Sequence, residues 1–385
     1  MDLLYKEDIM FLLKQRGQGP CISLYMPTDK GREGAKANSI RYKNLLNKAE
    51  DEMKKAGKDY REINELLEPA NKLIDDSFFW ANQSEGFAYF ISPGYTRYYR
   101  LPVQFDELSV TREVFHIKPL LSLISTDGQF YVLAISQQDA RLLRGTNYRA
   151  EEIDLSDLLE KFEEKFATEL PDQHLQFHTR APAEGGVRSA IYFGHGGEID
   201  SIQKERMLKY FRFIDHEIKD KVGEYNTPLI LACVDHLFSV YREASKYPLL
   251  FEEGIKGNPE NMSIQELHSK ALEIVKPYFQ KRQEEIKGLY YELTGTGKTS
   301  DRLMEIVPAS FHGRVSDLFV PLGVQQWGNY NPENDQVELS DRPETGSEDL
   351  VDLAAAETIL NNGNVYAVER EQMPSNGIAA AVFRW

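Results

Sequence analysis

The stretch PCISLYMP at residues 20–27 decides how the first part of the chain folds. It is apolar and rich in strand-favouring residues, and a proline stands at each end, which predicts a buried strand. A polar loop, TDKGREGAKANS, follows at residues 28–39. From residue 40 to 57 the sequence IRYKNLLNKAEDEMKKAG has apolar residues at helical spacing and ends in a glycine that can cap a helix. A strand followed by an amphipathic helix predicts an α/β layer within residues 1–115.

Two further α/β segments follow along the chain. Predicted strands, a glycine-dense loop, an amphipathic helix at residues 201–223 and the apolar strand PLILACV at 228–234 predict a central domain at residues 116–258. Helices, the strand DLFVPLG at 317–323 and the strand GIAAAVFRW at 377–385 predict a third domain at residues 259–385. The predicted fold class is α/β, an α+β multidomain chain with three α/β domains.

The composition excludes several classes of protein. The 385 residues are 41% hydrophobic, enough for ordinary cores, and their formal net charge of −16 makes the chain a poor non-specific binder of DNA. No apolar run is long enough to cross a membrane, and charged residues stand near the start where a signal peptide has its apolar region. Cys21 and Cys233 lie in apolar runs, which predicts buried reduced thiols. We expect a cytoplasmic protein without membrane or DNA partners.

The hexapeptide GTGKTS at residues 295–300 looks like the end of a phosphate-binding loop, but its context argues against one. Such a loop needs a glycine five residues before Gly297, and Glu292 stands there. The preceding stretch, KRQEEIKGLYYEL, has a helical pattern where a strand is required. We expect Thr299 or Ser300 to cap the following helix, and no nucleotide or other cofactor to bind.

Three separated stretches resemble, in the same order, the archaeo-eukaryotic class-1 peptide release factors and their relative Pelota. PCISLYMP with AKANSIRYKNLLNKAE resembles their first domain, FHIKPLLSLISTDGQFYVLAIS with AIYF and PLILACVD resembles the central domain, and GRVSDLFVPLG with GIAAAVFRW resembles the third. The resemblance covers essentially the whole chain and indicates the bacterial archaeo-eukaryotic release-factor-like proteins. It implies a ribonuclease-H-like central domain and an L7Ae-like C-terminal domain. The implied partners are the ribosome, through rRNA and tRNA, and a translational GTPase.

The resemblance also implies where nucleic acid binds. The family has Asn-Ile-Lys in the loop that approaches the decoding centre, and the matching residues here are Ser39, Ile40 and Arg41, after Asn38. The planar guanidinium of Arg41 can replace the lysine as a phosphate ligand. A local basic cluster surrounds this motif, as RNA contact by an acidic protein requires, although a solvated helix face is the alternative. The predicted nucleic-acid-binding residues are Lys30, Arg32, Lys36, Asn38, Ser39, Ile40, Arg41 and Lys43.

The glycine loop of the central domain departs from the family pattern. The best match to Gly-Gly-Gln is Gly185-Gly186-Val187, so the glutamine is missing. Valine has no donor or acceptor that could orient a water molecule, and we do not expect ester hydrolysis by the family route. The catalytic candidates left in this loop are Gly185, Gly186, Arg188 and Glu198, the last as a base.

Histidines give no metal site. His174 and His178 are four residues apart, but Pro171 nearby favours a loop, and a fixed acidic third ligand is missing. His116 and His216 stand beside apolar residues, which predicts hydrogen-bonded structural histidines.

These patterns favour a ribosome-associated protein that binds near the A site in rescue, hibernation or stress of translation, and that is not an enzyme. Two alternatives stay open. One is an active hydrolase of peptidyl-tRNA or another RNA ester that uses the loop at residues 178–198. The other is an interaction module that no longer binds ribosomes.

Overall fold

The computed structural model describes residues 1–124, 128–136, 140–155, 161, 201–222, 227–342 and 347–385. It divides into two units, of which the first combines residues 1–127 with residues 282–385 and the second contains residues 128–281. No helix within the described ranges is long and apolar enough to cross a membrane.

The N-terminal part of the first unit is an antiparallel sheet with helices. Its elements are α1 (Lys6–Leu13), β1 (Cys21–Pro27), α2 (Gly31–Lys55), α3 (Tyr60–Asn71), α4 (Ser77–Ala81), β2 (Gly86–Ser92), β3 (Tyr95–Leu101), β4 (Leu108–Arg112) and α5 (Leu121–Ile124). The strand order is β3-β2-β1-β4, and β1 pairs antiparallel with both neighbours.

Strand β1 is the predicted strand, and every residue of it except Pro27 is buried. Successive side chains of a strand point to opposite faces of the sheet. Ile22, Leu24 and Met26 therefore join one core with α2 and α3, while Cys21 and Tyr25 join another on the opposite face. A strand covered on both faces needs the nearly continuous apolar sequence that β1 has.

The C-terminal part of the first unit contains two small sheets. Its elements are β10 (Thr299–Ser300), α9 (Leu303–Phe311), β11 (Val315–Pro321), β12 (Trp327–Asn331), β13 (Gln336–Ser340), β14 (Glu348–Asp349), α10 (Leu350–Leu360), β15 (Asn364–Val368) and β16 (Ala380–Phe383). One sheet has the order β10-β16-β11-β15, with β11 and β15 parallel, and the other has the order β13-β12-β14. Side chains of α9, α10 and β11 lie in the same core as Cys21 and Tyr25. Both ends of the chain therefore share one core.

The second unit is a five-stranded mixed sheet with a core on each face. Its elements are β5 (Phe130–Ile135), β6 (Ala140–Gly145), β7 (Ala150–Ile153), α6 (Ser201–Val222), β8 (Leu229–Cys233), α7 (Asp235–Ala244), β9 (Ile255–Lys256) and the first part of α8 (Ile264–Leu293). The order is β7-β6-β5-β8-β9, with β5, β8 and β9 parallel. Tyr131 and Leu133 of β5 face α6 and α7, and Phe130 and Val132 face α8.

The mixed helices and sheets of both units confirm the predicted α/β multidomain class. The boundaries after residues 115 and 258, and the ribonuclease-H-like and L7Ae-like folds, stay predictions. The predicted start of α2 at residue 40 was wrong, because the helix begins at Gly31 and includes residues 31–39 of the predicted loop.

The structure also clarifies GTGKTS. The segment before it is helical, as predicted, since α8 ends at Leu293. The predicted cap was wrong in its position, because Thr299 and Ser300 form β10 and the cap residue of α9 is Arg302. Ser300 still serves this helix start, since its Oγ accepts the Arg302 N–H at 3.1 Å. That nucleotides do not bind here stays a prediction.

Candidate nucleic-acid interface

Helix α2 carries every predicted nucleic-acid-binding residue except Lys30, which stands directly before it. One side of α2, including Tyr42, Leu45 and Ala49, is buried against the first sheet. Exposed residues recur on the opposite side every three or four positions, the spacing that places them on one helix face. We name this set the α2 stripe, and it consists of Arg32, Lys36, Ile40 and Lys43.

The α2 stripe presents three cations to solvent. Among the described residues, no carboxylate forms an ion pair with Arg32, Lys36 or Lys43. The stripe extends over about 16 Å at 1.5 Å per helical residue. The apolar side chain of Ile40 lies among the cations and is 52% exposed. These charges are available for phosphate groups, although the chain as a whole is acidic.

Asn38 is fully buried, and its amide holds neighbouring segments together. Its Oδ1 accepts the backbone N–H of Asp29 at 3.0 Å, and its Nδ2 donates to the carbonyl oxygens of Asp29 at 2.8 Å and Trp80 at 3.3 Å. Gly34 permits this close approach, because a Cβ there would lie 2.7 Å from the Asp29 carbonyl oxygen. Asn38 therefore ties the loop before α2, and α4, to the helix.

Ser39 places another segment beside the α2 stripe. Its Oγ donates to the carbonyl oxygen of Ile74 at 2.6 Å. Lys36 and Lys43 are the neighbours of Ser39 on the helix surface, three residues before it and four after it. The segment from Ile74 into α4 therefore borders the stripe, and Phe78 in this segment is 79% exposed.

Phe78 is a residue that sequence reasoning missed. It belongs to the run SFFWA of α4, in which Trp80 is buried and Phe79 packs against Trp80 and Phe87. Three consecutive aromatic residues on a short helix cannot all face the core, and that was the available signal. The same segment has acidic side chains at Asp75 and Asp76, so the border of the stripe is not uniformly basic.

Arg41 and Lys30 already have carboxylate partners. Arg41 Nη1 lies 2.7 Å from Asp29 Oδ2, and its Nε lies 3.8 Å from Glu107 Oε1. Lys30 Nζ lies 2.5 Å from Glu85 Oε1, and the hydrogen bond and charge of Lys30 lower the pKa of that carboxyl group. Phosphate would have to compete with these carboxylates. Of the eight predicted residues, the structure therefore leaves Arg32, Lys36 and Lys43 as the uncompensated cations.

The predicted catalytic candidates cannot be placed. Gly185, Gly186, Arg188 and Glu198 lie outside the described residues, as do His174 and His178. Within the described ranges, no group of three or more His, Cys, Asp or Glu side chains could hold a metal ion.

The remaining sequence predictions concern single side chains. Cys21 and Cys233 are buried and free, as predicted, and burial raises the pKa of the Cys21 thiol to about 11. His116 is a buried hydrogen-bonded histidine, as predicted, with Nδ1 2.8 Å from Asp352 Oδ2. The prediction for His216 was wrong, because its side chain is 67% exposed on α6.

Comparisons with known proteins give a family for the central part of the chain. The model of "Bacterial archaeo-eukaryotic release factor family 3" matches residues 129–314. No curated protein matches the chain.

Solved structures of low identity match the whole chain or most of it. The archaeal translation termination factor aRF1 is 12% identical over 100% of this chain and 99% of its own, with a TM-score of 0.27. Archaeal Pelota, from a model of ribosome-bound Pelota and ABCE1, is 11% identical over 100% and 95%, with a TM-score of 0.39. Dom34 of S. cerevisiae is 10% identical over 78% and 74%, with a TM-score of 0.33. These TM-scores are below 0.5 and say nothing about the activity of this chain. The family match is the informative finding, and it shows that residues 129–314 of this chain are similar to bacterial archaeo-eukaryotic release factor family 3.

Proposed function

We propose that this protein binds the ribosome near the A site, with the α2 stripe against ribosomal RNA, and acts in rescue, hibernation or stress of translation. The family match supports a role in translation. The observation that carries the RNA contact is the stripe itself, whose three cations have no ion-pair partner in the described part of the chain. On a chain with a net charge of −16, a local cluster of this kind is the surface to which phosphate groups can bind.

The residues around the stripe have different tasks in this proposal. Arg32, Lys36 and Lys43 bind phosphates, and Phe78 stacks on an unpaired base, as exposed aromatic side chains do on single-stranded RNA. Asn38 and Ser39 position the helix and its border rather than contact RNA.

The sequence of the glycine loop supports binding without efficient hydrolysis. Val187 follows Gly185 and Gly186 where the family has glutamine. A valine side chain cannot position water against an ester.

Co-sedimentation with ribosomes at several salt concentrations tests the proposal. The double variant Lys36→Glu/Lys43→Glu should lose most of its ribosome binding, and its affinity should depend less steeply on salt, by about one unit of log–log slope per lost phosphate contact. Lys48→Glu is the matched control, because Lys48 is an exposed lysine of the same helix that lies away from the stripe. Equal binding by the double variant and the control would contradict the RNA contact, and absence of the wild-type protein from ribosomal fractions would contradict the function.

A further inference from the structure

A cleft in the first unit is separate from the α2 stripe. It has a volume of about 320 Å³ and lies between the loop that precedes β4, the segment around residues 116–122 and the end of β11. Phe105, Leu121 and Val320 contribute to its apolar walls, and His116 also lines it. We name it the His116 cleft. Its volume is at the small end of the range for ligand sites.

His116 is fixed in this cleft by hydrogen bonds on three sides. Its backbone N–H donates to Ser23 Oγ at 3.0 Å, and its carbonyl oxygen accepts from the Tyr25 hydroxyl at 2.5 Å. Its Nδ1 lies 2.8 Å from Oδ2 of Asp352, whose other oxygen accepts the Ile117 N–H at 3.1 Å. The residue is only 4% exposed, so the ring has little freedom to turn.

The ionisation state of Asp352 determines whether Nε2 of His116 donates or accepts a hydrogen bond. Burial raises the pKa of Asp352, but the charge of the protonated His116 ring, its hydrogen bond and the charges of Lys118 and Arg112 outweigh this effect, and the net direction is down. An ionised Asp352 can only accept, so Nδ1 carries the proton. In the neutral ring Nε2 is then a hydrogen-bond acceptor.

That acceptor has no partner within the protein. Among the described residues, no group hydrogen-bonds to Nε2 of His116. Nε2 of His116 is not one of the buried side-chain atoms without a partner, so it is accessible from the cleft, where water or a ligand can donate a hydrogen bond to it. A nearly buried ring with a free acceptor, in the wall of a cleft, is the arrangement of a site that receives a hydrogen-bond donor.

The charges around the cleft favour a cationic donor. The carboxylates of Asp106 and Glu107 lie on the lining and are exposed, and Glu107 has a distant partner in Arg41, whose Nε lies 3.8 Å from Glu107 Oε1. Lys118 also lines the cleft, but its ammonium is neutralised by Asp349 at 2.8 Å and also donates to the carbonyl oxygen of Val324. An anion would meet two uncompensated or weakly compensated carboxylates, whereas a cation would be attracted to them.

We propose that the His116 cleft binds a small organic cation, an amine, amidine or guanidinium with an apolar body. The cation donates an N–H to His116 Nε2, its charge lies towards Asp106 and Glu107, and its apolar body packs between Phe105, Leu121 and Val320. Asp352 acts as a positioning residue that sets the tautomer and orientation of the ring.

Benzamidine is a suitable probe, with neutral benzamide as its isostere. We expect ¹⁵N spectra of the histidine side chains, at mildly alkaline pH, to show an unprotonated Nε2 for His116 in the free full-length protein. Benzamidine should shift this resonance saturably, and benzamide should not. The rim variant Asp106→Asn/Glu107→Gln, which leaves the buried groups unchanged, should weaken benzamidine binding by roughly fivefold or more.

Several outcomes would overturn the proposal. They are a proton on Nε2 in the free protein, no saturable shift with benzamidine, an equal response to benzamide, or unchanged affinity in the rim variant. Because the readout is one resonance in a cleft apart from the α2 stripe, the result does not depend on whether the protein binds ribosomes.

Discussion

Lys118 Nζ lies 2.8 Å from Asp349 Oδ2, and both side chains are buried although 231 positions separate them in the chain. This ion pair joins the N-terminal and C-terminal parts of the first unit inside their common fold. Asp349 also accepts the backbone N–H groups of Gln326 at 3.2 Å and Val351 at 3.1 Å. One carboxylate therefore organises the start of α10 as well as the pair.

Removing one member of this ion pair should strongly destabilise the folded protein. We expect Lys118→Met to lower the free energy of unfolding by about 3–5 kcal/mol, because it leaves the Asp349 charge buried without a counter-ion. The double variant Lys118→Met/Asp349→Asn should be less destabilised than Lys118→Met. Urea unfolding measures both values, and a double variant that is simply additive would argue against direct coupling.

The pair of His116 and Asp352 should make stability depend on acid. Since the pKa of Asp352 is lowered in the folded state, its contribution is present above the unfolded value of about 3.9 and is lost as the pH falls through the folded value. His116→Asn removes the partner, so we expect the stability gap between wild type and variant to narrow as the pH falls. Urea unfolding at several pH values measures this difference in unfolding free energy. A difference that does not change with pH would contradict a lowered pKa of Asp352 in the folded state.

Glu357 should make stability depend on pH in the opposite direction. Burial raises the pKa of Glu357, and the charge and hydrogen bond of Arg16, 2.5 Å away, offset this only in part. A raised pKa in the folded state favours folding at low pH, and this advantage is lost as the pH rises through the folded value. Relative to Glu357→Gln, the wild type should therefore lose stability as the pH rises from about 4.3 towards neutrality. If the stability of the wild type relative to Glu357→Gln rose or stayed constant with increasing pH, the prediction would be contradicted.

Asn38 should matter for stability rather than for direct RNA contact. Asn38→Ala leaves the backbone N–H of Asp29 without its side-chain acceptor and removes the donor to two carbonyl oxygens. We expect a loss of about 2–4 kcal/mol in the free energy of unfolding, from groups left without partners. The matched control is Asn44→Ala, an exposed asparagine of the same helix, which should change stability by less than about 0.5 kcal/mol. Equal effects of the two variants on thermal unfolding would contradict this role.

Phe78, unlike Asn38, should matter for RNA binding rather than for stability. At 79% exposure its replacement by alanine should leave the melting temperature almost unchanged. Base stacking on an aromatic side chain contributes about 1–3 kcal/mol, so Phe78→Ala should weaken binding to ribosomes or single-stranded RNA at least fivefold. Tyr60→Ala, which removes another exposed aromatic residue, is the control. Wild-type affinity in Phe78→Ala would exclude a stacking contact.

Local patterns account for the part of the fold that could be predicted. The buried strand β1 and the amphipathic face of α2 follow from residue spacing, because neighbouring positions determine which side chains share a face. The start of α2 could not be predicted in this way. It depends on Gly34 and Asn38, whose contacts are with Asp29 and Trp80. Nothing near Asn38 in the sequence signals that its amide would be buried.

The candidate site, too, could be predicted from the sequence only in part. The basic residues of α2 could be predicted from sequence, but which of them lack a counter-ion depends on tertiary partners such as Glu85 for Lys30. The pairing of His116 with Asp352 joins residues 236 positions apart, and no local pattern marks it. The run of three aromatic residues is the sequence signal for Phe78, because the three side chains cannot all reach one buried face.

The common core of residues 1–127 and 282–385 has a consequence for synthesis of the protein. Strand β1 leaves the ribosome early, but the partners that cover Cys21 and Tyr25 on one face include α9, α10 and β11, which are translated last. The intervening unit has cores of its own and can fold in the meantime. The nascent chain therefore carries an incompletely covered apolar sheet face during most of its translation, and a premature stop before residue 303 would leave that face partly open to aggregation and proteolysis.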